Sequence, residues 1–222
     1  MSLACTGVIL AGGGATRYGG KPKGLEFLNG ERIIDRVARV LAFASDDLLL
    51  ISNDRAAEGW LPGVRTEPDV RPGLGSLGGI YSALVRAGCP VILVAWDMPF
   101  VPAALLNRLR EIGAETDAAV PESDSRRGVE PLCAYYAPAC IPAIERRLDS
   151  GDLRVVGFYD DVRVARLSAA EVAQFGDAER LFMNINTPAD LYLAERYAST
   201  TDGGDHRQEE QRKDDAGSAT GG

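Results

Sequence analysis

Short apolar runs alternate along this chain with longer stretches whose apolar residues recur every three or four positions. Residues 8–11, 48–52 and 91–96 are the clearest runs, with a shorter strand expected at 64–66. Between the first two, residues 31–44 carry Ile33, Ile34, Val37, Val40 and Leu41 at helical spacing. Residues 79–87 and 102–112 read as further helices, the second with Pro102 in a first-turn position that tolerates a missing N–H. Strands are expected again at 118–120, 130–136, 162–167 and 182–185, and a helix at 141–148. A last helix opens at Asn186-Thr187-Pro188 and reaches residue 197, with Thr187 as N-cap and Asp190 in the first turn.

Apolar strands separated by helices predict an α/β fold, a mostly parallel sheet with helices on both faces. Right-handed crossovers then collect the strand C-termini at one edge, where ligands bind. From Ser199 onward apolar periodicity stops and polar and charged residues dominate. The expected organisation is one domain over 1–198 and a disordered polar tail over 199–222.

The loop after Ala11 is dense in glycine and cations. Gly12, Gly13, Gly14, Gly19, Gly20 and Gly24 surround Arg17, Lys21 and Lys23. Glycines let backbone N–H groups approach an anion, and the cations balance phosphate charge. The dinucleotide pattern G-x-G-x-x-G fails because Arg17 stands where its last glycine belongs. The pattern G-x-x-x-x-G-K-[ST] fails at Ala15 and Pro22.

Asp97 follows the strand at 91–96, so its carboxylate is expected at the ligand edge. Two readings are open: an oxygen ligand for Mg²⁺, or a turn acid before Pro99. Asp69 precedes a second glycine-rich loop, 72–79, which includes Gly75 and Gly79 and leads into a helix. Asn53 follows the strand at 48–52 and suits either a turn or a base contact.

Composition removes other chemistries. His206 is the single histidine and sits in the polar tail, so Ser-His-Asp, Cys-His and histidine–zinc sites are not expected. Cys5, Cys89, Cys133 and Cys140 are scattered without a C-x-x-C pair, which suits core or surface thiols. A net charge of −8 argues against nucleic-acid binding, and no apolar run is long enough to span a membrane. A cytoplasmic protein, monomeric or weakly oligomeric, is expected.

Leu10-Ala11-Gly12-Gly13, followed by Arg17, Gly19-Gly20 and Lys23-Gly24-Leu25, resembles the signature of the molybdenum cofactor guanylyltransferases, within the nucleotidyltransferases. The resemblance continues through residues 73–79, Asp97-Met98-Pro99-Phe100, Glu130-Pro131-Leu132 and Asn184-Ile185-Asn186-Thr187-Pro188. It implies a Rossmann-like nucleotidyltransferase fold, and transfer of GMP from GTP to the terminal phosphate of molybdopterin with Mg²⁺ required and pyrophosphate released. Carried over by position, Leu10, Ala11, Gly12 and Gly13 meet the nucleotide and Lys23 its phosphates. Asp69 meets the guanosine and Asp97 holds Mg²⁺, while Arg17 adds positive charge. Asn53, Gly75, Gly79, Asn184 and Asn186 are further candidates. Pro22 stands where the family often has Asp. The alternatives are a related enzyme using CTP or a sugar-phosphate acceptor, and a nucleotide-binding regulatory module.

Overall fold

The computed structural model describes residues 4–12 and 22–198. Seven strands form one sheet: β1 (Thr6–Leu10), β4 (Asp47–Ile51), β5 (Arg65–Glu67), β6 (Val91–Ala95), β7 (Ala118–Pro121), β8 (Cys133–Tyr136) and β9 (Val164–Leu167). A separate hairpin holds β2 (Phe27–Leu28) and β3 (Glu31–Arg32). The large sheet runs β5-β4-β1-β6-β8-β7-β9. β1 pairs in parallel with both β4 and β6, while β8 is antiparallel to both β6 and β7.

Residues along the central strands divide between the two faces. Ile9, Leu50, Ile92 and Val94 pack under α1 (Ile33–Ala44) and α3 (Ala103–Gly113). Val8, Leu49, Ile51, Val91 and Leu93 pack under α2 (Gly75–Ala87) and α4 (Ile141–Asp149). Both faces are covered, so these strands read as unbroken apolar runs rather than as alternation. Two short helices follow, α5 (Ala169–Val172) and α6 (Ala178–Leu181). The last helix, α7, spans residues 188–198. Its Ala194 and Ala198 form a small third core with Leu28, Ile33 and Ile185.

Several boundaries differ from the sequence expectation. Residues 31–32 are strand rather than helix, because Asn29 and Gly30 take φ of 49° and 81° and close a hairpin. Asn-Gly between short apolar segments is a signal for that turn. α2 starts at Gly75 rather than at 79. Poor glycine propensity is overridden there by packing, since Gly78 and Gly79 lie against Leu74 and Leu10. The strand expected at 182–185 is absent: Phe182 and Met183 hydrogen-bond back into α6, and Ile185 N–H donates to the carbonyl of Asp97. The strand expected at 130–136 begins at Cys133. Residues 199–222, expected to be a disordered tail, lie outside the described residues.

Candidate active site

The chain runs from β1 outward to β4 and β5, then returns to place β6 on the other side of β1. β1 and β6 lie side by side and parallel, so their C-terminal ends open on the same edge of the sheet. A cavity of about 370 Å³ lies there. Leu10 and Gly12 reach it from β1, Asn53 from β4, Asp69 from the loop after β5, and Asp97 from the end of β6. Gly73, Gly75, Ser76 and Gly79 line it from the start of α2, and Trp96, Leu132 and Asn184 complete the wall.

Lys23 meets Asp97, one of the lining residues. Lys23 opens a short 3₁₀ turn (Lys23–Leu25) whose Gly24 lies on the indole of Trp96. Its ammonium donates to Asp97 Oδ2, forming an ion pair, and to Asn186 Oδ1 at 2.6 Å. Asp97 is 7% exposed. Its carbonyl accepts from Ile185 N–H at 2.9 Å, which ties the 184–186 segment to the end of β6. Asp190 Oδ2 accepts from the N–H groups of both Asn186 and Thr187, and Thr187 Oγ1 accepts from Asp190 N–H. That reciprocal cap fixes the start of α7 and the backbone of Asn186. Thr187 is thus the N-cap expected from sequence.

Asn53 and Asp69, also in the lining, form a two-point clamp. Asn53 Nδ2 donates to Asp69 Oδ2 at 2.6 Å, and Asn53 Oδ1 accepts from Asp69 N–H at 2.9 Å. Asp69 Oδ1 is buried without a donor. An unpaired buried carboxylate oxygen is costly unless a ligand supplies an N–H. Gly79 leaves room for Leu10 in the wall: a Cβ there would stand 2.6 Å from Leu10 Cδ1.

The wall opposite is held by buried phenols. Tyr136 donates to the carbonyl of Pro131 at 2.8 Å, so Tyr159, 2.9 Å away, donates in turn to Tyr136. Burial pushes both phenols well above their usual range, keeping them neutral. The Glu130-Pro131-Leu132 turn is thereby fixed, and Leu132 O accepts from Ala95 N–H. The cysteines take no part in the cleft: Cys5, Cys133 and Cys140 are buried, and burial raises Cys5 and Cys140 to about 12.

Leu10, Gly12, Lys23, Asn53, Asp69, Gly75, Gly79, Asp97, Asn184 and Asn186 are thus brought to one sheet edge. Ala11 borders an adjoining recess. Gly13, Arg17 and Lys21 lie outside the described residues. Sequence reasoning missed Gly73, Ser76 and Trp96 as lining groups. The indole was read as the end of a strand, and no local signal marks it as a wall.

The sequence matches the model of the MobA-like NTP transferase domain over residues 7–163. A probable molybdenum cofactor guanylyltransferase of Pelotomaculum thermopropionicum is 39% identical over 86% of this chain and 92% of its own. The crystal structure of a molybdopterin-guanine dinucleotide biosynthesis protein A from Archaeoglobus fulgidus superposes with a TM-score of 0.73 at 28% identity, covering 88% of this chain and 99% of that one. A Mycobacterium tuberculosis protein solved in complex with manganese shares the fold at a TM-score of 0.63 and 22% identity, over 88% of this chain and 100% of its own. Strand order, cleft and these likenesses agree, and the chain belongs to the MobA-like NTP transferases, among the molybdenum cofactor guanylyltransferases.

Proposed function

We propose that this enzyme transfers GMP from GTP to the terminal phosphate of molybdopterin and releases pyrophosphate. The observation that carries the reading is the junction of Lys23, Asp97 and Asn186 beside a cleft that the Asn53–Asp69 pair also lines. The junction offers charge for a triphosphate, and the pair offers a buried acceptor for a base.

The site fits a hard divalent cation. Among the described residues no three His, Cys, Asp or Glu side chains converge. Of the two acids lining the cleft, Asp69 is held by Asn53, which leaves Asp97 to supply the carboxylate, the pattern of Mg²⁺ held by one or two acids plus substrate phosphates. Bound there, the ion supplies Lewis-acid neutralisation at the α-phosphate. The chain's own residues do the rest. Lys23 moves from Asp97 to a phosphate oxygen, with Asn186 holding the ammonium in place. Asp69 Oδ1 accepts an N–H of guanine, and Asn53 fixes the carboxylate that does so. The attacking phosphate monoester has a second pKa near ~6 and is mostly dianionic at neutral pH, so no general base is needed. Catalysis then rests on alignment and charge, as for phosphoryl transfer generally.

The test is pyrophosphate release from GTP with molybdopterin and Mg²⁺. Release with GTP and not with CTP, UTP or ATP supports the reading; selective use of CTP assigns the other base, and tight binding without turnover assigns a regulatory module. Among the described residues no helix is long and apolar enough to cross a membrane.

A further inference from the structure

Asp69 stands on a loop, yet the backbone on both sides of it is pinned. Its own N–H donates to Asn53 Oδ1 at 2.9 Å, which fixes the peptide before it. The peptide after it is fixed from α2: Val70 N–H donates to Ser82 Oγ at 2.9 Å. The Ser82 hydroxyl donates in turn to the carbonyl of Gly78, one helical turn back, at 2.7 Å. Its single proton is thus committed to Gly78, and a lone pair takes the N–H of the loop. Ser82 is 0% exposed, and its neighbours Tyr81, Ala83 and Leu84 belong to the apolar core. A buried hydroxyl there is a cost to the fold unless its bonds are made, and back-bonding to the preceding turn adds nothing to a helix. What the hydroxyl contributes is the bond to Val70.

The residue after Val70 is held differently. Arg71 pairs with Asp149 at 2.6 Å and lies over the ring of Tyr81. Those two ion-pairing side chains are 38% and 65% exposed, and exposed pairs hold weakly. Of the two anchors, the buried Ser82 bond therefore governs the course of the chain past Asp69.

We propose that Ser82 is a positioning residue for base recognition, setting the backbone from which the Asp69 carboxylate reaches the cleft. This rests on the proposed role of Asp69 as acceptor of a guanine N–H. Ser82 does not line the cleft and acts only through Asp69. Asn53 orients the carboxylate at its tip, and Ser82 orients the main chain at its root. The direction of Val70 N–H is set by ψ of Asp69. A variant without Oγ leaves that buried N–H unpaired, and the peptide turns to find another acceptor.

The test is calorimetric titration of the full-length protein with GTP and, separately, with pyrophosphate, each with Mg²⁺. S82A should weaken GTP binding about threefold to tenfold and leave pyrophosphate binding nearly unchanged, because pyrophosphate carries no base. In a D69A background the same change should add nothing, since the group it positions is gone; a double-mutant cycle reads that coupling. If S82A does not fold, S82C fills the space with a weaker acceptor, and the same comparisons apply with smaller losses. Equal GTP affinity in variant and wild type, equal losses for GTP and pyrophosphate, or additive losses with D69A overturn the proposal. Unchanged GTP affinity in D69A ends the assignment of Asp69 and this proposal together. A loss in D69A with none in S82A ends this proposal alone.

Discussion

Asp97 and Lys23 each depend on the other until substrate arrives. Removing the carboxylate leaves Lys23 with only Asn186 and removes the one acid suited to a metal. Asp97→Ala is expected to lower turnover about 10²–10³-fold, comparable to losing a principal transition-state stabiliser. Circular dichroism should show an unchanged fold, and near-normal pyrophosphate release would refute the role. Asp69 is proposed to act in binding. Asp69→Ala should raise KM for GTP about tenfold and leave kcat nearly constant, the pattern of an interaction made equally in ground and transition states. A fall in kcat alone would contradict that assignment. The placement of Asp97 at the cleft was legible in the sequence because it directly follows an apolar strand. The place of Trp96 in the wall was not: it depends on Trp60 and Gly24, distant in the chain and on separate elements.

At the scale of elements, the site is assembled by close approach and by capping. Gly24 sits where a Cβ would enter the indole of Trp96, 2.7 Å from Cδ2 and 3.0 Å from Cζ3. The stacked ring cannot yield, so Gly24→Ala must push the turn bearing Lys23 outward. A loss of about 1–3 kcal/mol is expected, read by urea unfolding, together with reduced turnover. Thr187→Ala removes the cap of α7 and should cost about 1 kcal/mol. It should also lower kcat, because Asn186 precedes the cap and holds Lys23. Helix positions and the α7 start were readable from periodicity and capping chemistry. The strand expected at 182–185 failed because four apolar or amide residues in a row do not supply a partner strand, and its one tie to β6 is the Ile185–Asp97 bond.

For the whole molecule, acid is the expected destabiliser. Asp46 is held below its usual value by the N–H of Cys5, and Asp117 by hydrogen bonds from Arg163. Arg154 lowers Asp152 from 3.8 to about 2. A depressed carboxylate favours the folded state above its unfolded pKa and loses that contribution as pH falls through its folded value. The urea midpoint should therefore be nearly flat from about pH 7 to 5 and fall between about pH 4 and 2. A fall beginning near neutrality would point to other groups. The α/β class and the covered faces of the sheet were legible from runs of apolar residues, as was the gathering of candidate residues at one edge. The reversed direction of β8 was not, because pairing direction is set by which neighbour a strand finds rather than by its own composition.

The hydrogen bond from Lys23 to Asn186 spans 163 positions of sequence. During synthesis the chain emerges N-terminus first, at about 5–20 residues per second. Strands β1, β4 and β6, with the glycine-rich stretch of sequence between the first two, are thus available long before Asn186. A nascent chain can form the nucleotide half of the cleft while Lys23 still lacks its second partner. On the proposed role of Asn186, the Lys23–Asp97 end of the cleft is therefore among the last features the polypeptide completes.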